Sequence, residues 1–358
     1  MSSAHSGPSE EPKQGSRPWW RPKLGRQLRI TLSLIGLFFV FEYLLIPEIA
    51  SARKSVSSLS NVNLALVLLA AIFEILAILA YTELSHAVFQ PKPPDRFRLL
   101  RINLSTMAVS HIVPGGTAPG GALGYVLLTD AQVPAATAAL GLAVQGIGSA
   151  VVLNMILWIA LVVSIPLQGF NPLYGFAAMA GVLLLLAFAG TILLLIRGEN
   201  HAADWVGRIA RRIPFMGEER AMSLTQHVAD RVTILFTNRR LLSRAMAWAV
   251  ANWLFDATCL WVFLWSFGST VSPFDLLVAY GLAMILASVP ITPAGLGVVE
   301  GVLISTLVGF GVPKSTAILG VLGYRLLNFW LPIPLGGAAY VSLRRLKNRE
   351  GPNPEVAI

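Results

Sequence analysis

Apolar residues fill long unbroken stretches of this chain, at about 28 to 46, 62 to 84, 134 to 165, 174 to 196, 243 to 267 and 315 to 343. Crossing a hydrocarbon core of about 30 Å takes roughly 20 helical residues, so the pattern predicts six membrane-spanning helices. Two further apolar regions, 102 to 128 and 275 to 311, are interrupted near their centres by Pro and Gly. Their arms, of about 8 to 15 residues, are mostly too short to span alone.

The interruptions belong to a repeat. Val113-Pro-Gly-Gly-Thr-Ala-Pro-Gly-Gly-Ala-Leu-Gly124 precedes Val133-Pro-Ala-Ala-Thr-Ala-Ala-Leu-Gly141, and Val289-Pro-Ile-Thr-Pro-Ala-Gly-Leu-Gly297 precedes Val312-Pro-Lys-Ser-Thr-Ala-Ile-Leu-Gly320. The pattern VPxxTAxLG recurs letter for letter, and the breaker ahead of it recurs loosely. The expected tips are Pro114, Gly115, Gly116, Pro119 and Gly120 in the first half, and Pro290, Pro293, Gly295 and Gly297 in the second. Broken apolar helices in matched positions of two halves are a pointer to a transporter site. The alternative is a pair of Pro-kinked helices in a tight bundle, against which the recurrence of the breaker argues.

Charge adds sidedness. Arg17, Arg21, Lys23, Arg26 and Arg29 precede the first span, and Lys92, Arg96, Arg98 and Arg101 follow the second. A run of arginines from Arg197 to Arg244 follows the fourth, and Arg344, Arg345, Lys347 and Arg349 follow the last, whereas the connections at 47 to 61, 166 to 173 and 268 to 274 carry only Arg53 and Lys54. Lys and Arg accumulate in cytoplasmic loops, which places both termini inside a multi-pass cell-membrane protein. Parity then makes 102 to 128 a re-entrant hairpin from the cytoplasmic side and 275 to 311 one from the external side. The two repeats are thus expected to be inverted, in an all-α fold of six full spans and two re-entrant hairpins, with eight full spans as the alternative.

The organisation expected is a disordered cytoplasmic tail at 1 to 23, a transmembrane domain at 24 to 348, and a short tail at 349 to 358. Within the domain the first repeat covers about 62 to 165 and the second about 243 to 343. Between them, 197 to 242 mixes Trp205, Val206, Ile209 and Ile213 with Arg208, Arg211 and Arg212, an amphipathic pattern suited to anionic inner-leaflet lipids.

Composition agrees. Of 358 residues, 55% are hydrophobic and 13% charged, with a mean hydropathy of +0.68, which excludes a soluble globular protein. The net charge of +9 lies in segments flanking apolar runs rather than in one patch, so no nucleic-acid partner is expected. Cys259 is the single cysteine, leaving no thiol metal site or disulfide framework. No GxSxG, HExxH or P-loop occurs. Neither a cofactor nor a metal nor catalysis is therefore expected.

The chemistry to be explained is the ionisable residues inside apolar runs, where a charge costs at least about 2.5 to 3.5 kcal/mol. Glu74 and Asp256 lie midway along the second and fifth spans, the helices immediately before each interrupted region. Arg325 lies about ten residues into the last span, roughly 15 Å deep, and its repeat-aligned partner is Gly146. Glu74, Asp256 and Glu300 are the candidate partners of Arg325. His111, before the first tip, is a candidate proton relay or substrate contact, and Tyr324 adjoins the arginine. Asn103, Asn154, Asn252 and Asn328 read as interhelical hydrogen-bond formers.

Three segments resemble a known family: Ser110-His-Ile-Val-Pro-Gly-Gly, Pro293-Ala-Gly-Leu-Gly-Val-Val-Glu300-Gly, and Tyr324-Arg325-Leu-Leu-Asn-Phe-Trp-Leu-Pro332. They are similar to the flippase-like transmembrane region of bacterial lysylphosphatidylglycerol synthetases, also found as stand-alone membrane proteins. The resemblance covers about 24 to 348. It implies a lipid-handling membrane protein that moves a phospholipid or lipid-linked substrate between leaflets. It also implies that lipid modification falls to a separate enzyme, since only nine residues follow Arg349. The rival expectation is a membrane enzyme or accessory subunit acting on a lipid headgroup or isoprenoid-linked sugar.

Overall fold

The computed structural model describes residues 63–113, 117–168, 172–197, 239–288 and 292–350. The expected first span, the 1 to 23 tail, nearly all of the amphipathic segment 197 to 242, the C-terminal tail beyond Glu350, and the tip residues Pro114, Gly115, Gly116 and Pro290 lie outside them. The described residues are all-helical, with no strand among them.

The first repeat contains α1 (Leu64–Val88), α2 (Arg96–Ile112), α3 (Thr117–Asp130) and α4 (Ala135–Gln168), followed by α5 (Pro172–Arg197). The second contains α6 (Arg239–Ser266), α7 (Pro273–Ala287), a 3₁₀ turn (Pro293–Gly295), α8 (Val298–Gly309) and α9 (Lys314–Arg325). A π turn (Leu326–Trp330) then leads to α10 (Pro332–Glu350). Starts follow local chemistry: Asn63 caps α1 through its side chain at 3.1 Å to Ala65 N–H, Asp95 caps α2 at 3.0 Å to Phe97 N–H, and Pro273 sits in the first turn of α7.

Four helices among the described residues are long and apolar enough to cross a membrane: α1, α4, α6 and the continuous α9–α10. The interrupted regions form two helix pairs, α2 with α3 and α7 with α8. Their helices have 17, 14, 15 and 12 residues, each short of the roughly 20 that a crossing requires.

On α1, Leu64, Leu68, Ile72, Ile75 and Leu79 form an exposed apolar stripe, while Ala70, Glu74, Ala77, Ala80 and Leu84 are buried. Where the solvent is hydrocarbon, large apolar side chains lose nothing by facing outward. Helices then associate through small residues and polar contacts. Gly120 and Gly336 show the small-residue half of this rule. A Cβ on Gly120 would lie 2.0 Å from Ser110 Oγ and 2.6 Å from the Thr106 carbonyl, and one on Gly336 would lie 2.1 Å from the Leu104 carbonyl. The backbones of α3 and α10 therefore rest directly on α2.

The halves exchange partners reciprocally. The first arm of the first pair, α2, packs on α10 of the second half, while the first arm of the second pair, α7, packs on α4 of the first. Helices α1 and α6 form the long central contact, and the 3₁₀ turn packs against α2. The principal core gathers Leu157, Leu260, Tyr280, Leu303, Leu307 and Tyr324 from α4, α6, α7, α8 and α9.

Candidate functional site

The second broken pair turns through left-handed backbone. Ala294 has φ 42°, Gly295 70° and Gly297 83°, a succession that two glycines make accessible. At Gly295 a side chain is excluded on space as well, because a Cβ would lie 2.7 Å from that of Ala287. The turn brings Glu300, in the first turn of α8, back onto its own helix start, where one carboxylate oxygen accepts the Gly297 N–H at 2.6 Å. The other accepts Arg325 Nε at 2.5 Å. Of the three carboxyls that depth alone offered to Arg325, Glu300 is the one that holds it.

This pair is desolvated, the two side chains being 5% and 10% exposed. The guanidinium also lies over the Phe329 ring, 4.6 Å from its centroid, at a distance where a cation and a ring face attract. Nε and Nη2 share one edge of a guanidinium. Because Glu300 turns its second oxygen to Gly297, Nη2 is buried with no hydrogen-bond partner among the described residues.

Glu74 and Asp256 meet across the α1–α6 contact. Asp256 accepts the Tyr280 hydroxyl, the Tyr324 hydroxyl at 2.9 Å and Asn328 Nδ2 at 2.9 Å. The same Asn328 nitrogen reaches Glu74 Oε1 at 3.5 Å, while Glu74 Oε2 has no partner among the described residues. Asn328 stands one turn after Arg325 on the same helix face, so the acid pair and the Arg325–Glu300 pair are adjacent on one element.

The π turn at Leu326–Trp330 carries Asn328 and leads into α10. Leu331 N–H donates to the Leu326 carbonyl at 3.0 Å, five residues back, and Pro332 and Pro334 supply no N–H to the turn ahead of them. In this irregular turn the Phe329 carbonyl accepts His111 Nδ1 at 2.9 Å, and the two rings stack with centroids 4.8 Å apart. A carbonyl only accepts, so Nδ1 is the nitrogen that donates in this bond. His111 thereby fastens the end of α2 to the segment that carries Arg325.

The expected site residues Arg325, Glu300, Glu74, Asp256 and Tyr324 thus form one buried polar group, joined through Phe329 to His111. Gly295 and Gly297 shape the turn beside it, and Pro293 opens the 3₁₀ turn. Pro119 and Gly120 stand in the first turn of α3, after the break, where Gly120 serves as the contact with Ser110. Tyr280 and Asn328 are further members of the group. Tyr280 sits inside the apolar run of α7, and Asn328 reads from sequence as a general interhelical hydrogen-bond former. The signal for Asn328 was its spacing of three from Arg325.

The first half carries a neutral counterpart. Gln145 holds the place in its repeat that Tyr324 holds in the other, and it donates to Ser85 Oγ at 2.9 Å, which Asn103 Nδ2 also reaches at 3.0 Å. Charge is therefore concentrated in the second half and on Glu74.

Residues 26–336 match the family model described as the lysylphosphatidylglycerol synthase TM region. The chain belongs to that family. It is a multi-pass membrane protein, and the whole of the polar group lies inside the matched range. The chain is 33% identical over 92 residues to inner membrane protein YbhN of Escherichia coli, covering 26% of this chain and 28% of that protein. It is 27% identical over 112 residues to a UPF0104 membrane protein of Pyrococcus horikoshii, covering 31% and 33%. Against a UPF0104 membrane protein of Methanothermobacter thermautotrophicus it is 20% identical over 171 residues, covering 46% and 51%. The chain thus matches between about a quarter and a half of the length of these curated relatives.

Proposed function

We propose that this protein translocates a phospholipid or lipid-linked substrate between bilayer leaflets, with the polar headgroup received at the buried group around Arg325. The observation that carries the reading is the double engagement of Glu300, which ties a buried guanidinium to the start of a broken helix. A desolvated ion pair contributes little net stability compared with apolar packing, so its presence at membrane depth argues for use in function. Non-helical backbone at that depth is tolerated where it lines a cavity.

The short arms and the reciprocal packing of α2 on α10 and α7 on α4 support two hairpins entering from opposite faces. The distribution of Lys and Arg supports cytoplasmic termini. Acyl chains remain in the bilayer while the headgroup passes between the halves. Chemistry on the lipid is left to a separate enzyme, and anionic inner-leaflet lipids attract the basic segment between the repeats.

Reconstitution into liposomes carrying fluorescent anionic, zwitterionic or aminoacylated lipids tests this. Leaflet exchange above that of protein-free vesicles is expected for at least one class, and its loss in Arg325→Ala with insertion retained. Exchange unchanged across the whole panel would sink the reading.

A further inference from the structure

Glu74 and Asp256 differ in what surrounds them, and the difference assigns a proton. Asp256 accepts three hydrogen bonds, from Tyr280, Tyr324 and Asn328, donors aimed at a carboxylate that acts purely as an acceptor. Glu74 has one long contact to the shared Asn328 nitrogen, and its other oxygen has no hydrogen-bond partner among the described residues. Both residues are buried, 3% and 5% exposed. Among the described residues the cation beside the group is Arg325, and Glu300 engages it.

The other groups facing the pair are the Tyr280 hydroxyl from α7, the Tyr324 hydroxyl from α9 and the Cys259 thiol from α6, none of which supplies positive charge. Three carboxyls share one guanidinium, and a buried carboxylate without a counter-charge is avoided by taking up a proton.

We propose that Glu74 and Asp256 form a proton-binding site that couples lipid translocation to a proton gradient. This rests on the translocation reading for its cargo, while the site itself stands on the geometry. The proton resides on Glu74 and is donated to the Asp256 carboxylate. Its release to water leaves two carboxylates side by side, one turn from Arg325 on the face that carries Asn328. These carboxylates then compete with Glu300 for the guanidinium. Transfer of Arg325 to them detaches Glu300 from α9 and frees the broken-helix turn that Glu300 caps, whereas reprotonation restores the Arg325–Glu300 pair. Binding of the proton and opening of the turn are thereby linked, each altering the free energy of the other.

Infrared spectroscopy of the full-length protein in detergent reads the site without reference to transport. A protonated-carboxylic-acid carbonyl band is expected at neutral pH. It shifts downward in D₂O and on carbon-13 labelling of glutamate, and it disappears in Glu74→Gln. Because the labelling arm uses the wild-type protein, it decides even where the variant fails to fold. Absence of a glutamic-acid band at neutral pH overturns the proposal.

The coupling is then read in proteoliposomes. A pH gradient accelerates lipid exchange in the wild-type protein and has no effect in Glu74→Gln. Acceleration by a sodium gradient at clamped pH with none from a proton gradient overturns the coupling. A glutamic-acid band with no lipid exchange in any vesicle leaves the proton site standing and removes the translocation reading.

Discussion

Glu300 and Arg325 are joined by a 2.5 Å hydrogen bond in which the carboxylate simultaneously caps the helix that carries it. One side chain therefore closes a turn and neutralises a charge. Removing either partner strands the other in a desolvated site. Glu300→Ala and Arg325→Ala are each expected to lower stability by about 3 to 5 kcal/mol. The Glu300→Gln/Arg325→Met double variant removes both charges while keeping most of the volume. It should lie closer to wild type than either alanine variant in thermal unfolding in detergent, with lipid exchange lost. A double variant as unstable as the singles would show that the pair acts through packing rather than charge.

Close backbone approach between α2 and α3 yields an internally controlled pair of variants. A Cβ on Gly120 would meet Ser110 Oγ at 2.0 Å and the Thr106 carbonyl at 2.6 Å, whereas one on Gly121 would meet nothing within 4 Å. Gly120→Ala is expected to separate the helices at a cost of about 1 to 3 kcal/mol. Gly121→Ala should be neutral or stabilising by up to about 1 kcal/mol, because alanine is the better helix former. Equal melting temperatures for the two would contradict the packing described.

Charged residues made the site legible before its geometry was known. Arg325, Glu74, Asp256 and Glu300 stand out because hydrocarbon penalises them wherever they point, so their depth along the chain suffices to mark them. Which acid takes Arg325 was not legible, since that depends on the left-handed turn at Ala294 to Gly297, which rotates Glu300 back over its own helix start. Tyr280 and Asn328 escaped for a different reason. A tyrosine or asparagine in an apolar helix costs little and usually serves packing or a single interhelical bond, so Tyr280 carries no sequence mark and Asn328 only its spacing of three from Arg325. The long helices followed from apolar run length. The π turn did not, although Pro332 and Pro334 mark the place where the hydrogen-bond ladder had to change.

Backbone strain at the turn is itself testable. Ala294 occupies φ 42°, ψ 37°, a conformation that costs an L-residue with a Cβ roughly 1 to 2 kcal/mol. Ala294→Gly is expected to raise the melting temperature. Gly295→Ala, at φ 70° and 2.7 Å from the Ala287 Cβ, should lower it. If the protein uses the turn as a moving part, relief of strain at Ala294 will also change the exchange rate, since strained backbone at functional sites is often part of the mechanism. A melting temperature lowered by Ala294→Gly would argue against the left-handed assignment.

Asn328 bridges the acid pair, donating through one nitrogen at 2.9 Å to Asp256 and 3.5 Å to Glu74. Asn328→Leu removes that donor and leaves buried acceptors short of a partner, at a cost of about 1 to 3 kcal/mol. Glu74→Gln changes the balance, because an amide brings two N–H donors beside Asp256 where a protonated Glu74 brings one. The two substitutions should therefore be non-additive, the double variant being more stable than the sum of the singles by about 0.5 to 3 kcal/mol. Leu is also a poorer fit than Asn beside two carboxyls, so Asn328→Ala in the same cycle separates shape from hydrogen bonding. Strict additivity in both cycles would mean that Asn328 serves Asp256 alone and that Glu74 belongs to a separate environment.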